Sequence, residues 1–405
     1  MKSIIYLTKS FPHKSETFIV NQITAAIEKG FDVGILTYNY LKPSNSSQED
    51  LFSKYKLHQR VNAIDYNIPT NIFLKLLSLV KLNFLFYNYI IKAKNLSFRK
   101  RYTLLPFQIQ FFKKFKKTDT FHIHFGHASF DIIKLKSLGV IQSKVIITFH
   151  GIDAHWLDDV EYNAKKKQYS EVFKYADLIT VNSNYLNEKL KKLGCPKNKV
   201  IIIPMGVDVN YFKANINYSQ HEEGTITLLS IGRLIELKGH EYAIMSISEL
   251  VKQGYKVKYN IVGNGKLYDK LDNLITRLGI EDSIKLLGHR DQIEIKNLLE
   301  KTDIFLMPST VDITGRAEAQ GQVTAEAQSM GVPVVAFNSG GIKDTIIESK
   351  TGFLVEDKDI ASFSKAIKIL IDNEGLRKEM GKNAEEFVRQ RFNLKTNMDL
   401  IFNNY

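Results

Sequence analysis

The sequence predicts an α/β protein built from two doubly wound parallel-sheet domains that face each other across a cleft. Three observations carry that prediction. At 405 residues the chain exceeds what a single hydrophobic core normally organises, about 100 to 200 residues. Each half contains a series of short apolar runs alternating with helical stretches, the pattern of a parallel sheet covered on both faces. Between the two series the chain is punctuated by Pro204 and Gly206 and then by the polar stretch Asn215 to Gly224, where the hinge is placed. The expected domains are residues 1–205 and 206–387, with a C-terminal helix at about 388–405 packing back on the first domain.

The first series opens with an apolar strand from Met1. A helix with Ile19, Ile23, Ala26 and Ile27 on one face follows, then Gly30 at its end and a second apolar strand, which together make a βαβ unit. The runs TFHIHFG, VIITFHG and ADLITVNS continue it. From Thr225 the second series reads ITLLSIGRL, KVKYNIVGNG, IKLLG, DIFLMPS, VPVVAF and GFLV. Two such sheets set face to face put the carboxyl ends of both strand sets on a common cleft, where ligands of this fold class bind.

Composition narrows the function. With 44% hydrophobic and 24% charged residues the chain reads as globular, and no apolar run reaches the roughly 20 residues of a membrane span. Met1 to Leu7 carries one Lys and a short apolar strand rather than a secretory signal, so residence in the cytoplasm is expected. The single cysteine, Cys195, excludes an internal disulfide. A formal charge of +13 points to anionic partners. Between Asn71 and Lys117 lie eleven basic residues and no acid. There Phe107, Ile109, Phe111, Phe112 and Phe115 interleave with Lys113, Lys114, Lys116 and Lys117, a mixture expected of a helix in an anionic lipid interface. Ile72 to Ile91, apolar with Lys75 and Lys81, is the expected second contact. The other reading packs these aromatics on the first sheet.

The segment EAQGQVTAEAQSMGVPVVAF carries the strongest chemistry. Glu318 and Glu326 stand eight apart with Gly321 between them, one in a loop and one inside the next helix. That helix begins near Gln322, so its free N–H groups favour an anion in the cleft. In SIGRLIELKGHEYAI, Arg233 follows a strand and Lys238 stands at a helix entry, a fork and a point charge suited to phosphate oxygens, with Gly232 and Gly239 allowing close approach. Gly263 and Gly265 mark another strand-to-helix turn. In the first half, His150 stands at a strand end with Asp153 three residues on. His122 and His124 share a strand face in the spacing of metal ligands, but no acid completes such a site, and no metal is expected.

The ordered motifs HIHFG, FHGID, ADLITVNS, IPMGVD, IGRLIELKG, IVGNG and the Glu-x7-Glu segment resemble those of the family 4 retaining glycosyltransferases, whose GT-B fold pairs two Rossmann-like domains. The resemblance covers nearly the whole chain. It implies that Arg233 and Lys238 hold the donor diphosphate beside Gly232 and Gly263. Glu326 would meet the ribose hydroxyls, and Glu318 with the backbone of Ala319, Gln320, Gly321, Gln322 and Val323 the transferred sugar. His150 would line the sugar site from the other domain, with Ser15, Glu16, His124, His127 and Asp153 on the acceptor side. FPHKSETFIVNQI resembles the amino end of members that build exopolysaccharide, capsule and O-antigen. Where members commonly read Glu-Gly-x-Gly, this chain has Glu318-Ala319-Gln320-Gly321 after an insertion-like VDITGRA, which bears on the sugar.

The expected reaction moves a hexosyl unit from a nucleotide diphosphate sugar, UDP-sugars first, to a lipid-linked or saccharide acceptor. Cationic side chains and helix dipoles that grip the diphosphate as charge develops lower the barrier without a divalent metal or other cofactor. The only Asp-x-Asp, Asp357 and Asp359, is better explained as a helix cap. Peripheral attachment to the inner face of the plasma membrane through residues 71–117 completes the expectation. A nucleotide-sugar epimerase or a phosphorylase uses the same architecture. A nucleic-acid-binding protein would use the +13 charge but leaves the Glu318 to Glu326 segment without a purpose.

Overall fold

Thirteen short strands, most of them buried along their length, form two all-parallel sheets, and that double burial is why they read as continuous apolar runs. The structure, a computed structural model, describes residues 1–13, 16–42, 44, 46, 48–213 and 224–405. The polar stretch assigned to the hinge lies, from Asn215 through residue 223, outside the described residues.

The first sheet contains β1 (Ser3–Phe11), β2 (Asp32–Tyr40), β3 (Val61–Ala63), β4 (Thr120–His124), β5 (Lys144–Phe149), β6 (Leu178–Val181) and β7 (Val200–Ile202), in the order β3-β2-β1-β4-β5-β6-β7. The second contains β8 (Ile226–Ile231), β9 (Val257–Val262), β10 (Ile284–Gly288), β11 (Ile304–Met307), β12 (Val334–Phe337) and β13 (Gly352–Val355), in the order β10-β9-β8-β11-β12-β13. Strand order reverses between β1 and β4 and between β8 and β11, so each sheet opens a crevice at the carboxyl ends of those strands. The fold is thus two Rossmann-like halves, as the sequence predicts.

Alternation along each strand feeds two cores per sheet. On β1, Ile5 and Leu7 enter one cluster while Ile4 and Tyr6 enter the other. On β11, Ile304 and Leu306 face away from Phe305 and Met307 in the same way.

The chain returns to the first domain at its end, but later than predicted. The helix Glu374–Arg391 belongs to the second domain, where Met380 and Val388 are core residues. It stops at Phe392, and Asn393 caps a new helix, Leu394–Phe402, by accepting from Lys395 N at 3.0 Å. At this break the chain runs beside the first crossing. Val207 N donates to Phe392 O at 2.7 Å, and Leu394 N donates to Val207 O at 2.9 Å. Met398, Phe402 and Tyr405 then join the core of Ile4, Tyr6 and Ile19. The Tyr405 hydroxyl lies 2.9 Å from that of Tyr6 and 2.5 Å from His122 Nδ1, and accepts from Gln22 Nε2 at 2.9 Å.

The basic region corrects one expectation. Phe107, Ile109, Phe111 and Phe112 are buried in the first domain's core, because the helix Leu105–Phe112 lies against the sheet. They do not face a lipid interface. Lys113 instead stacks over the rings of Phe86 and Tyr89, at 4.9 and 5.3 Å. The helix Ile72–Leu85, the expected second contact, is the one that turns apolar side chains outward.

Candidate active site

On the second domain the cradle is built from turns that follow β8 and β9. Gly232 N donates to Val262 O at 2.9 Å and Leu234 N to Asn264 O at 2.9 Å, stacking one turn on the other backbone to backbone. Gly263 makes this possible: at φ +144° a Cβ there would stand 1.9 Å from the Gly232 carbonyl. Its position is that of a packing residue beneath the Gly232 turn. Arg233 projects from the upper turn, exposed, and its guanidinium makes no ion pair among the described residues. The aliphatic stem of Lys238 lies across Gly232, and its Nζ is 2.6 Å from Glu318 Oε2.

Glu318 sits in the loop after β11, above the glycine pair Gly340-Gly341. Gly341 N donates to Glu318 O at 2.8 Å, and a Cβ on Gly341 would fall 1.9 Å from the Ala319 carbonyl. Gly321, at φ +79°, turns the chain into the helix Gln322–Ser329, whose start no side chain caps. The N–H groups of Gln322 and Val323 therefore keep their anion-binding potential. Glu326 lies one turn further in, and burial pushes its carboxyl up to about 7.

On the first domain, His150 stands at the end of β5 between the rings of Phe18 and Phe125, with centroids at 4.4 and 4.7 Å. His124 Nδ1 and His150 Nε2 are 3.0 Å apart, and burial holds both imidazoles below the ordinary histidine range. His124 is thus a neutral support under His150 rather than an acceptor-facing residue. His122 spends both ring nitrogens on protein partners, the Tyr405 hydroxyl and, at 2.7 Å, Thr148 Oγ1, so it has no lone pair to offer a metal.

Asp153 also needs correction. Its carboxylate accepts from the backbone of Gly126 at 2.8 Å, His150 at 3.1 Å and Gly151 at 2.9 Å while only 2% exposed. It braces the loops after β4 and β5 and does not face the cleft. His127 is exposed on the first of these loops. Glu16 directly precedes the helix Thr17–Glu28, which carries Phe18, and burial pushes its carboxyl up to about 7. Ser15 lies outside the described residues.

The two sets of strand ends meet. A Cβ on Gly151 would come 2.9 Å from that of Ala319. Asp344 accepts from Asn184 N at 2.6 Å and from Asn184 Nδ2 at 3.1 Å, tying the loop after β12 to the start of the helix Asn184–Lys192. Gln320, expected near the donor, has its side chain committed elsewhere: it is buried and bonded to Met205 at the domain crossing. Only its backbone remains for a ligand. Between the domains a small cavity of about 40 Å³ is bounded by His150, Asn182, Pro204 and Gln322 among others. His150 Nδ1 and Asn182 Nδ2 have no hydrogen-bond partner among the described residues.

Sequence reasoning missed Asn182, Asp344, Gly341 and His240. The last opens the helix His240–Lys252 directly behind Lys238, and burial with the Lys238 charge holds it down to about 4. Its signal was its place in LKGH, at the same helix entry as Lys238.

Comparison with known proteins places the chain in one class. Residues 15–211 match the Glycosyltransferase Family 4 domain and residues 212–387 the Glycosyl transferases group 1 domain. WcaL of Escherichia coli K12, named for glycosyltransfer in colanic acid biosynthesis, is 32% identical, over 97% of this chain and 96% of its own. The amylovoran biosynthesis glycosyltransferase AmsK of Erwinia amylovora is also 32% identical, over 88% and 87%. The crystal structure of Anabaena Alr3699/HepE in complex with UDP superposes with a TM-score of 0.73 at 18% identity, covering 100% of this chain and 99% of that one. The chain belongs to glycosyltransferase family 4 and has the GT-B fold. It is a glycosyltransferase.

Proposed function

We propose that this glycosyltransferase moves a hexosyl unit, with retention at the anomeric carbon, from a nucleotide diphosphate sugar to a lipid-linked or saccharide acceptor in surface polysaccharide biosynthesis. The observation that carries the reading is the Lys238–Glu318 pair, 2.6 Å apart at the mouth of an uncapped helix, with Arg233 exposed on the turn over which the Lys238 stem lies. Two cations and a helix N-terminus converge where a diphosphate would lie, and a carboxylate stands next to them for sugar hydroxyls. UDP is the first expectation for the nucleotide, supported by the UDP in the HepE complex. The names of WcaL and AmsK support the pathway.

In the reaction the bond from the anomeric carbon to the diphosphate oxygen breaks, and negative charge grows on the leaving group. Arg233, Lys238 and the N–H groups of Gln322 and Val323 strengthen their hold as it grows, which is transition-state stabilisation supplied by the chain's own charges. The acceptor hydroxyl attacks from the face the diphosphate leaves and passes its proton to the departing phosphate oxygen. Glu326 accepts from the ribose hydroxyls. His150, neutral, meets the sugar from the opposite domain through Nδ1.

Incubation with UDP-, GDP- and ADP-hexoses and an oligosaccharide acceptor tests this. The product should keep the donor's anomeric configuration, as read by proton NMR couplings. Formation of an epimer from nucleotide sugar alone would replace the reading with that of an epimerase.

A further inference from the structure

We infer that the helix Ile72–Leu85 is a docking surface for an anionic lipid bilayer, lying flat in the interface with its apolar face inserted. At about 100° per residue, Phe73, Leu76, Leu77, Val80 and Phe84 share one face. That face points away from the protein: Phe84 is 88% exposed, Val80 73% and Phe73 66%. The opposite face carries Leu82, the helix's one buried residue. A helix apolar nearly all round is normally buried on every side, and this one leaves a whole face to solvent. The patch extends through exposed Leu74, Leu85 and Tyr87, well beyond scattered single residues.

Charge selects the occupant. Exposed Lys81 stands on the helix itself, exposed Lys92, Lys94, Arg99 and Lys100 follow it in the chain, and no acid occurs from Asn71 to Lys117. None of these cations forms an ion pair among the described residues. An apolar face in a segment that carries one sign of charge suits a surface with hydrocarbon below and anions above. A second copy of this chain would bring the same cations against themselves. At 14 residues the helix is roughly 21 Å long, short of the ~30 Å hydrocarbon core, so it lies in the plane rather than spanning.

Co-sedimentation with vesicles tests the assignment. The full chain is mixed with vesicles of phosphatidylcholine alone or with an equal part of anionic phosphatidylglycerol, and the anionic vesicles should capture it. Phe73→Ser, Val80→Ser and Phe84→Ser together should lower the partition at least ~10-fold, because each buried apolar side chain contributes that order by itself. Its melting temperature should match the wild type, since these side chains support no core. Lys92→Gln, Lys94→Gln, Arg99→Gln and Lys100→Gln should cost roughly fivefold each and erase the preference for the anionic lipid. Wild-type partitioning by the triple serine variant would overturn the proposal. So would a wild-type dimer in size-exclusion chromatography that the serine variant abolishes while vesicles bind neither form.

Discussion

The side-chain amide of Gln320 clasps the peptide of Met205 from both sides, accepting from its N–H at 2.8 Å and donating to its C=O at 3.0 Å. This pairing joins the loop that carries Glu318 to the point where the chain first passes between domains. It behaves as a one-residue β-bridge made by a side chain. Gln320→Ala should destabilise by about 2 kcal/mol or more, since it leaves two peptide groups unpaired in a buried place. Gln320→Glu keeps the shape but sets a carboxylate oxygen against the Met205 carbonyl. The folded state then raises that carboxyl's pKa, so its stability is present at low pH and lost as pH rises through the folded value. Calorimetric melting should find Gln320→Glu worse than Gln320→Ala at pH 8 and partly recovered near pH 5. Equal melting of Gln320→Glu and wild type at pH 8 would remove the clasp.

Lys238 and Glu318 should be coupled. Lys238→Ala leaves Glu318 without its cation at a site where both are mostly covered, whereas the double change to Ala removes the pair together. The double variant should lose less in melting temperature than the two single losses added together. Turnover should fall by on the order of a hundredfold in Lys238→Ala and again in Arg233→Ala, the cost of one preorganised donor. Additive melting losses would mean that the pair does not interact in solution.

Glu326 should make donor binding depend on pH. Burial raises its carboxyl to about 7 from an ordinary 4.5, so the folded protein holds that proton after the unfolded chain has released it. The sign follows: Glu326 subtracts stability as pH rises from about 4.5 to 7, by on the order of 1–3 kcal/mol. Glu326→Gln should flatten that decline in denaturant melts between pH 5 and 8. As the carboxylate is the form that accepts from ribose hydroxyls, nucleotide affinity of the wild type should increase from pH 6 to 8. A wild-type affinity independent of pH, with Glu326→Ala binding as well as wild type, would take Glu326 out of the donor site.

Gly263→Ala should act at a distance. Its Cβ would press on the Gly232 carbonyl, the turn over which the Lys238 stem lies, at a backbone angle that alanine resists. Stability should fall by about 2 kcal/mol or more and nucleotide affinity with it. Ala at Gly279, also a left-handed position but with nothing within 4 Å of a new Cβ, should leave nucleotide affinity intact. Equal affinity in both variants would separate the Gly263 turn from the donor site.

Much of this was legible in the sequence. The strands β8 to β13 are all visible as apolar runs because a sheet covered on both faces buries most positions along its strands, as in IFLM and VVAF. β3 was not, being three residues at a sheet edge with two of them exposed. The clasp of Gln320 on Met205 spans 115 residues and joins a side chain to backbone, so no local pattern records it. The burial of Asp153 was hidden likewise, because its partners are backbone N–H groups that every residue type offers. In the basic region, composition identified the segment but not its faces: both helices are apolar nearly all round, and only the packing decides that Phe111 turns in and Phe84 turns out.

Titration calorimetry of a nucleoside diphosphate tests the central claim most directly. Among UDP, GDP and ADP, the one that stabilises the wild type is titrated into wild type and into the Arg233→Ala, Lys238→Ala double variant, in buffer containing EDTA. The account predicts binding to wild type in the presence of the chelator and about a hundredfold weaker binding to the double variant, the loss of charge-assisted contacts to the diphosphate. The corresponding nucleoside, which lacks the phosphates, should bind both proteins alike. Wild-type affinity of the nucleoside diphosphate for the double variant, or binding by wild type that EDTA abolishes and manganese restores, would contradict it.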